Sequence, residues 1–273
     1  MKFLSRFYIF LVFALLYAPI LIVILFSFNE AGDLNSFTGF SLKYYIDLFE
    51  TGDAFGPLKN SLILALTSSA AATVLGTLGA FAVSRAKSKR YQKVMESVTN
   101  IPMMNPDIVT GVSLMLLFVG VGTILGMTDV LSFWTMLLAH TTFNLPYVFL
   151  SVLPKFRQMD KHLTEAALDL GCTPAQTFLK VELPSILPGV LSGFMMGFTL
   201  SLDDFVISHF VSNSDFVTLP LYIYNQTAHN IKSSTYALCT LMIVAITLLL
   251  LAVNLAGAKG DGKQRHAKGG KTK

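Results

Sequence analysis

The stretch FYIFLVFALLYAPILIVILFSF, from Phe7 to Phe28, contains no charged residue and is bounded by Arg6 and Glu30. A helix of about 20 apolar residues crosses a bilayer core about 30 Å thick, so this run is long enough to span one. Pro19 inside the run is expected to kink the helix. The run is longer than the apolar core of a usual signal peptide, and no small-residue cleavage site follows it. We therefore predict a retained membrane-spanning helix.

Five more runs have the length and apolarity of a membrane span. Hydrophobic residues make up 53% of the chain and charged residues 13%, a composition too apolar for a water-soluble domain of 273 residues. The runs are Asn60 to Ser84, Ile101 to Gly126 with an interruption at Pro106 and Asp107, Leu131 to Leu153, Ile186 to Phe210 with Asp203 and Asp204 inside it, and Tyr236 to Leu255. The sequence thus predicts an all-α integral membrane protein with six transmembrane helices.

The positions of lysine and arginine predict the orientation in the membrane. All of these 20 residues except Lys43, Lys59 and Lys232 lie before the first predicted helix, between the second and third, between the fourth and fifth, or after the sixth. Because short cytoplasmic loops carry an excess of positive charge, we expect both termini to be cytoplasmic. The predicted organisation is an N-terminal helix with an outer loop over residues 1–59, a five-helix core over 60–256, and a disordered basic cytoplasmic tail over 257–273.

The loop between the fourth and fifth predicted helices, Lys155 to Pro184, is too long and too regular for a simple connector. Its pattern predicts two short helices on the cytoplasmic side. Asp160 can cap the first of them. Gly171 is suited to the left-handed backbone conformation that ends a helix.

The second predicted loop helix has its own start and stop signals. Thr173 can cap it, Pro174 fits its first position, and Gln176 stands at the capping-box spacing. Leu183 and Pro184 are expected to stop this helix before the fifth span begins. The loop is therefore expected to form an amphipathic projection, a shape suited to docking in a groove.

The loop contains Glu165-Ala166-Ala167, then Gly171, then Val181-Glu182-Leu183-Pro184. This spacing resembles the EAA loop of ABC importer permeases, although that family usually has Ile where Val181 stands here. The resemblance implies a coupling helix that docks on a cytoplasmic ATPase dimer, with roles for Glu165, Ala166, Ala167, Gly171 and Pro184. The alternative is a loop helix that lies flat on the membrane surface.

Four other segments resemble the PotC-type permease subunits of spermidine/putrescine transporters. They are Asn105 to Val109, Phe143 to Tyr147, Phe198 to Phe205 and Leu219 to Tyr224. The resemblance implies a MetI-like permease core in a bacterial inner membrane. It also implies a homologous second permease, two copies of an ATPase and an extracytoplasmic polyamine-binding protein. ATP and Mg would then bind to the partner ATPase, and this chain would be a translocation subunit without catalytic residues or a bound cofactor.

Polar residues inside the predicted spans are candidates for the substrate path, because ionisable groups are costly in lipid. The candidates are Asp203, Asp204, Asp107, Asn144 and Tyr147. Carboxylates that face a water-filled vestibule would attract a polyamine, and a tyrosine ring could contact its ammonium groups. Each of Asp203 and Asp204 could instead be an interfacial residue or a hydrogen-bond partner of a neighbouring helix. Asp107 could equally stabilise the N-terminus of the third helix.

Two further patterns lie on the predicted helices. His140 and Asn144 are four residues apart and share a helix face, where hydrogen-bonded packing is the alternative to a role in transport. Gly189, Gly193 and Gly197 form a smooth face on the fifth helix that allows close approach of another helix. The glycine face fits either a static contact or a contact that slides.

Other functional classes have little support. Gly270-Lys271-Thr272 imitates the end of a phosphate-binding P-loop, but Arg265 stands where its first glycine is required. The sequence has no nucleophile elbow, no zinc-type His-Glu spacing and no cysteine cluster. Basic residues at membrane boundaries do not form a face for nucleic acid. A secondary transporter remains an alternative, although an inverted repeat with paired broken helices is not evident.

Overall fold

The computed structural model describes residues 2–31, 37–229 and 234–248 of the chain. In these ranges the regular structure is helical, apart from one isolated antiparallel bridge between Asn29 and Phe40. The helices are α1 (Lys2–Phe26), α2 (Lys43–Thr51), α3 (Phe55–Arg85), α4 (Lys89–Met104), α5 (Asp107–Ile124), α6 (Phe133–Gln158), α7 (Lys161–Asp169), α8 (Pro174–Thr177), a π-helical segment (Phe178–Glu182), α9 (Leu183–Asp203), α10 (Val206–Val211), α11 (Leu219–His229) and α12 (Ser234–Leu248). The predicted all-α class is confirmed.

Five helical stretches are long and apolar enough to cross a membrane. They are Arg6–Phe26, Phe55–Arg85, Asp107–Ile124, Phe133–Gln158 and Pro174–Asp203, and they correspond to the first five predicted spans. Helix α12 is apolar but shorter. The remainder of the predicted sixth span, residues 249–255, lies outside the described residues, and so does the predicted tail, residues 257–273.

The third predicted span, Ile101 to Gly126, is interrupted at Pro106, as predicted. Helix α4 ends at Met104, and the backbone is extended at Asn105 and Pro106, with ψ angles of 141° and 136°. A proline disfavours helical geometry in the residue before it, which explains the break. Asp107 is the first residue of α5, so its predicted position in the first turn of this span is confirmed.

The fifth predicted span is wrong in its bounds at both ends. Its C-terminal part is divided, because α9 ends at Asp203 and α10 begins two residues after Asp204, whose backbone is extended with a ψ of 123°. At its other end, Leu183 and Pro184 do not stop the preceding loop helix. Helix α8 instead continues through the π-helical segment into α9.

The π-helical segment explains how the chain stays helical into Pro184. Proline lacks a backbone N–H and its ring collides with the carbonyl four residues before it. The preceding turn has the wider π hydrogen bonding, in which Leu183 N–H donates to the carbonyl of Phe178 five residues earlier. Pro184 therefore lies in the first turn of α9 without interrupting the continuous helical stretch from α8 to α9.

The chain forms two compact units, Pro57–Leu221 and the described residues on either side of it. In the flanking unit, the membrane-spanning part of α1 has no buried residues in the window that defines it as a span. Ser27 Oγ and the Tyr45 hydroxyl are hydrogen-bonded at 2.8 Å, and the Phe28 ring stacks on Phe40 and on Tyr45 with centroid distances of 5.1 Å. These contacts hold the end of α1 against α2.

In the unit Pro57–Leu221, helices α3, α6 and α9 share one apolar cluster. Its buried members are Ala72, Ala80 and Val83 of α3, Val148, Phe149, Val152, Leu153 and Phe156 of α6, and Ile186 of α9. A second cluster joins α3 and α6 to α10 through Leu64, Met136, Ala139, Ile207 and Val211. Helix α6 contributes to both clusters and is the central helix of this unit.

The predicted glycine face of α9 packs directly on α6. A Cβ atom on Gly189 would lie 2.9 Å from the Ser151 carbonyl oxygen, and one on Gly193 would lie 3.0 Å from Val148 Cα. Helix α3 approaches the same part of α6 through Gly76, where a Cβ would lie 2.8 Å from Val148 Cγ1 and 3.2 Å from the Phe149 amide nitrogen. Because the facing atoms include backbone, these positions leave no room for a side chain.

We expect Gly76→Ala to lower the stability of the purified protein in detergent by about 1–3 kcal/mol, the usual cost of overpacking. Gly79→Ala, one turn along the same helix, is the matched control because its Cβ would lie 3.6 Å from Phe149 Cδ2, an ordinary contact. Thermal unfolding midpoints measure both effects. Equal midpoints for the two variants would contradict the close approach of α3 and α6.

Candidate functional site

A buried polar network lies between α3, α6, α9 and α10, and His140 is at its centre. The His140 side chain on α6 is fully buried. Its Nδ1 lies 2.8 Å from Ser201 Oγ on α9, and its Nε2 lies 3.2 Å from Ser208 Oγ on α10. The imidazole therefore bridges the two helices that flank the break after Asp203. This is the hydrogen-bonded packing role, with the partners now identified.

Asn144 extends the same network by one turn along α6. Its Nδ2 donates to Ser68 Oγ on α3 over a long 3.5 Å, and Ser68 Oγ lies 3.1 Å from Ser201 Oγ. Asn144 is fully buried, and its Oδ1 finds no hydrogen-bond partner among the described residues. A buried carbonyl oxygen without a hydrogen-bond partner is costly, so Asn144 Oδ1 is free to accept a further hydrogen bond within the network.

Asp204 stabilises the helix break from inside the protein. Its Oδ1 accepts a hydrogen bond from Ile207 N at 3.2 Å, and its Oδ2 accepts one from Ser208 N at 2.8 Å. These are free N–H groups at the start of α10, so the carboxylate acts as a helix cap. The side chain is 7% exposed, and its Oδ2 lies 3.5 Å from His140 Nε2. Asp204 is thus a hydrogen-bond partner of a neighbouring helix, which was one of the two alternatives to a place in the substrate path.

The remaining path candidates are more accessible. Asp203 is the last residue of α9 and is exposed, while its neighbour Asp204 is not. Asp107 is exposed at the N-terminus of α5 and lies within electrostatic range of the half-buried Tyr147. The structure thus places Asn144 and Asp204 in one buried network. Asp107 is near Tyr147, and Asp203 stands apart at a helix end.

The loop between α6 and α9 has the local structure that its capping residues predict. The Asp160 carboxylate accepts from His162 N at 3.0 Å at the start of α7, and Gly171 has a φ of 86°. Thr173 Oγ1 accepts from Gln176 N at 3.3 Å, and Gln176 Oε1 accepts from Thr173 N at 3.0 Å. This reciprocal pair is a capping box at the start of α8.

Helix α7 has an inner and an outer face. Thr164 and Ala167 point inward and are buried, whereas Glu165 and Ala166 are exposed. The Glu165 side chain is 69% exposed, and its contact with His162 Nδ1 at 3.2 Å stays within the same helix. The loop therefore presents Glu165 outward.

Glu182 lies in the same motif, but it was not predicted to be a site residue. Its side chain is 1% exposed. Glu182 Oε1 accepts a hydrogen bond from Thr164 Oγ1 at 3.0 Å and forms an ion pair with Arg85 Nη2. The sequence does contain one indication of its importance. Glu182 is a charged residue next to Leu183-Pro184, at the membrane end of the loop, where an unpaired carboxylate is expensive.

Two observations bear on metal and redox chemistry. Within the described residues, no group of three or more His, Cys, Asp and Glu side chains is placed to hold a metal ion. Cys172 and Cys239 are both free thiols.

The fold defines the class of this chain. It resembles a chain of a bacterial ABC transporter involved in the import of the acidic polysaccharide alginate, with a TM-score of 0.74, 14% identity and coverage of 94% of this chain and 95% of that one. It also resembles a chain of the MetNI methionine ABC transporter in inward-facing conformations, with a TM-score of 0.57, 18% identity and coverage of 74% and 92%. The chain therefore has the fold of ABC importer permeases.

Sequence comparison gives the family. Residues 72–257 match the family described as "Binding-protein-dependent transport system inner membrane component", and the chain belongs to that family. It is 38% identical over 259 residues to the spermidine/putrescine transport system permease protein PotC of Haemophilus influenzae, covering 95% of this chain and 98% of that one. It is 34% identical over 237 residues to the putrescine transport system permease protein PotI of Escherichia coli K12, covering 87% and 84%. The chain is thus a multi-pass inner membrane component of a transport system.

We expect Asp204→Ala to destabilise the purified protein by about 0.5–2 kcal/mol, because it removes the cap of α10. Asp204→Asn is the matched control, since asparagine keeps one of the two acceptor oxygens and loses the negative charge. The thermal unfolding midpoint in detergent should fall less for the asparagine variant than for the alanine variant. An equal fall in both variants would mean that the hydrogen bond that asparagine keeps does not stabilise the break.

Proposed function

We propose that this chain is a permease subunit of an ABC importer that carries spermidine, putrescine or both into the cell. The observation that carries the proposal is the identity of 34–38% with polyamine permeases along 87–95% of the chain. The proposed assembly contains a homologous second permease, an ATPase dimer that binds ATP and Mg, and an extracytoplasmic polyamine-binding protein. In this assembly the chain itself has no catalytic role.

The proposed topology has six transmembrane helices, with α12 as the beginning of the sixth. Both termini and the loop of residues 155–184 lie on the cytoplasmic side. The support is the concentration of lysine and arginine in alternate segments. Helix α1, which exposes apolar side chains along its length, lies against lipid and the second permease.

The proposed contact with the ATPase is the outer face of the loop. Glu165 is exposed there, and so are Leu163, Leu168 and Leu170, the last at 86%. Leucines left in water favour a partner that covers them. A short capped helix with such a face fits a groove on another protein. A flat position on the membrane would use the same leucines and is the alternative that the variants below test.

The proposed attraction for the cationic substrate comes from exposed carboxylates. Asp203 is exposed at the end of α9, and Asp107 is exposed at the start of α5, within electrostatic range of Tyr147 on α6. A carboxylate and the face of an aromatic ring both attract an ammonium group. Asp204 is used in the fold as a cap, and Asn144 belongs to the buried network, so we assign the attraction first to Asp203.

We expect Asp203→Asn to reduce ATP-dependent uptake of labelled spermidine and putrescine into proteoliposomes that contain the assembled complex. A loss of about tenfold corresponds to about 1.4 kcal/mol of lost attraction, a reasonable value for a partly desolvated charge. Asp204→Asn keeps one of the two capping hydrogen bonds and should retain more uptake than Asp203→Asn. Asp215→Asn, which removes an exposed charge outside the helices, controls for net charge.

Two outcomes would contradict parts of this proposal. Normal uptake by Asp203→Asn would remove Asp203 from the path. If the wild-type complex hydrolyses ATP but moves no polyamine, the chain serves another solute, and a panel of other small cations in the same vesicles is the next measurement. Uptake by the chain without any ATPase would indicate a secondary transporter.

We expect Glu165→Ala to uncouple the complex while the permease still folds, because this carboxylate faces outward and has no contact beyond its own helix among those the structure gives. The measurement is binding of the purified ATPase to the permease, followed by uptake. Asp169→Ala, an exposed change at the end of the same helix, is the control. Unchanged ATPase binding and uptake in Glu165→Ala would favour the position on the membrane surface.

A further inference from the structure

The loop between α6 and α9 contains two glutamates with opposite environments. Glu165 is exposed, whereas Glu182 is 1% exposed and reaches Arg85 and Thr164. These partners belong to different elements, because Arg85 is the last residue of α3 and Thr164 lies in α7. The single Glu182 carboxylate therefore joins the loop helix, the π-helical segment and the end of a membrane span.

The π-helical segment contacts α3 through two pairs of side chains, which we call the two rungs. Phe81 and Arg85 are one turn apart on α3, and Phe178 and Glu182 are the first and last residues of the π-helical segment. The rings of Phe81 and Phe178 meet at 4.9 Å, and Arg85 pairs with Glu182. The Arg85 guanidinium also lies 5.5 Å from the centre of the Phe81 ring. Two rungs fix the rotation of the segment about its own axis, which one contact could not do.

Both side chains that contact α3 belong to the π-helical segment. An α-helix advances by about 100° per residue, so a turn widened by one residue changes the direction of every side chain that follows it in α9. Single π-turns are uncommon and are frequent at functional sites. Here the widened turn lies between α8, which belongs to the loop, and α9, which belongs to the membrane core.

The cluster is poorly explained as a stabilising feature alone. Burying a carboxylate is expensive, and a buried ion pair often stabilises no more than apolar residues of the same volume. In addition, Glu182 Oε2 is buried and has no hydrogen-bond partner among the described residues. A charge kept at this position at such a cost indicates a requirement for a specific arrangement of the three elements.

We propose that Glu182 is a positioning residue that transmits movement of the α7–α8 loop to α3, so that α3 and α9 move together when the loop moves. The inference rests on the proposed function, in which that loop docks on the ATPase. Without the Arg85–Glu182 pair only the Phe81–Phe178 contact remains, and movement of the loop is transmitted to α3 incompletely.

The test uses the reconstituted complex and measures polyamine taken up per ATP hydrolysed, together with the thermal midpoint of each permease variant. Arg85→Gln leaves a buried carboxylate without its cation and should lower the midpoint most. Glu182→Gln should lower it less, because Arg85 is half exposed and can be hydrated. The double variant Arg85→Gln/Glu182→Gln removes the isolated charge and should recover most of the stability.

Transport per ATP is expected to fall at least about fivefold in the double variant, the lower end of usual coupling between sites. The matched control is Glu96→Gln, which breaks the Arg157–Glu96 pair between α4 and α6, an ion pair that does not touch the α7–α8 loop. Normal transport per ATP in a double variant of recovered stability would overturn the proposal, because it would reduce the pair to a structural role. Failure of the wild-type complex to show ATP-driven uptake would instead count against the proposed function.

Discussion

At Gly189 and Gly193, α9 lies so close to α6 that no side chain fits between the two backbones. Inside a bilayer the hydrophobic effect does not drive helices together, so close packing and hydrogen bonds between helices must do so. The glycine contact supplies the packing and sets the rotation of α9. It therefore places Ser201 opposite His140, and it fixes the direction in which the loop before α9 leaves the membrane core.

A second constraint is that the backbone N–H groups at the helix break after Asp203 need hydrogen-bond partners. A break inside an apolar environment exposes N–H groups that water cannot reach. The Asp204 carboxylate accepts hydrogen bonds from two of these N–H groups. His140 is hydrogen-bonded to Ser201 before the break and to Ser208 after it. The polar residues of this region thus first serve the fold. This separates them from Asp203, whose exposed carboxylate has no such structural task among the contacts described.

The sequence predicts the class of fold, the first five spans and the caps of the loop helices, because each depends on local pattern. Uncharged runs define the spans, and Asp160, Gly171, Thr173 and Gln176 act through neighbours only a few residues away. The break in the third span was predicted from Pro106 and Asp107, whereas the bounds of the fifth span were wrong because proline and aspartate can either continue or interrupt a helix. Which outcome follows depends on distant partners, such as His140 for Asp204.

The candidate site was predictable only in part for the same reason. Two adjacent aspartates at 203 and 204 are unusual in a membrane span and indicate a functional or structural site. Which of them is buried depends on the packing of α6 and α10. Glu182 was missed because its partner Arg85 lies 97 positions away in the chain. The continuous helix Pro174–Asp203 has 30 residues, which at 1.5 Å per residue makes a lever about 45 Å long. Pivoting by 10° about one end would move the other end by about 8 Å, so a small rotation at the loop is amplified to more than the width of a side chain at the far end of the helix.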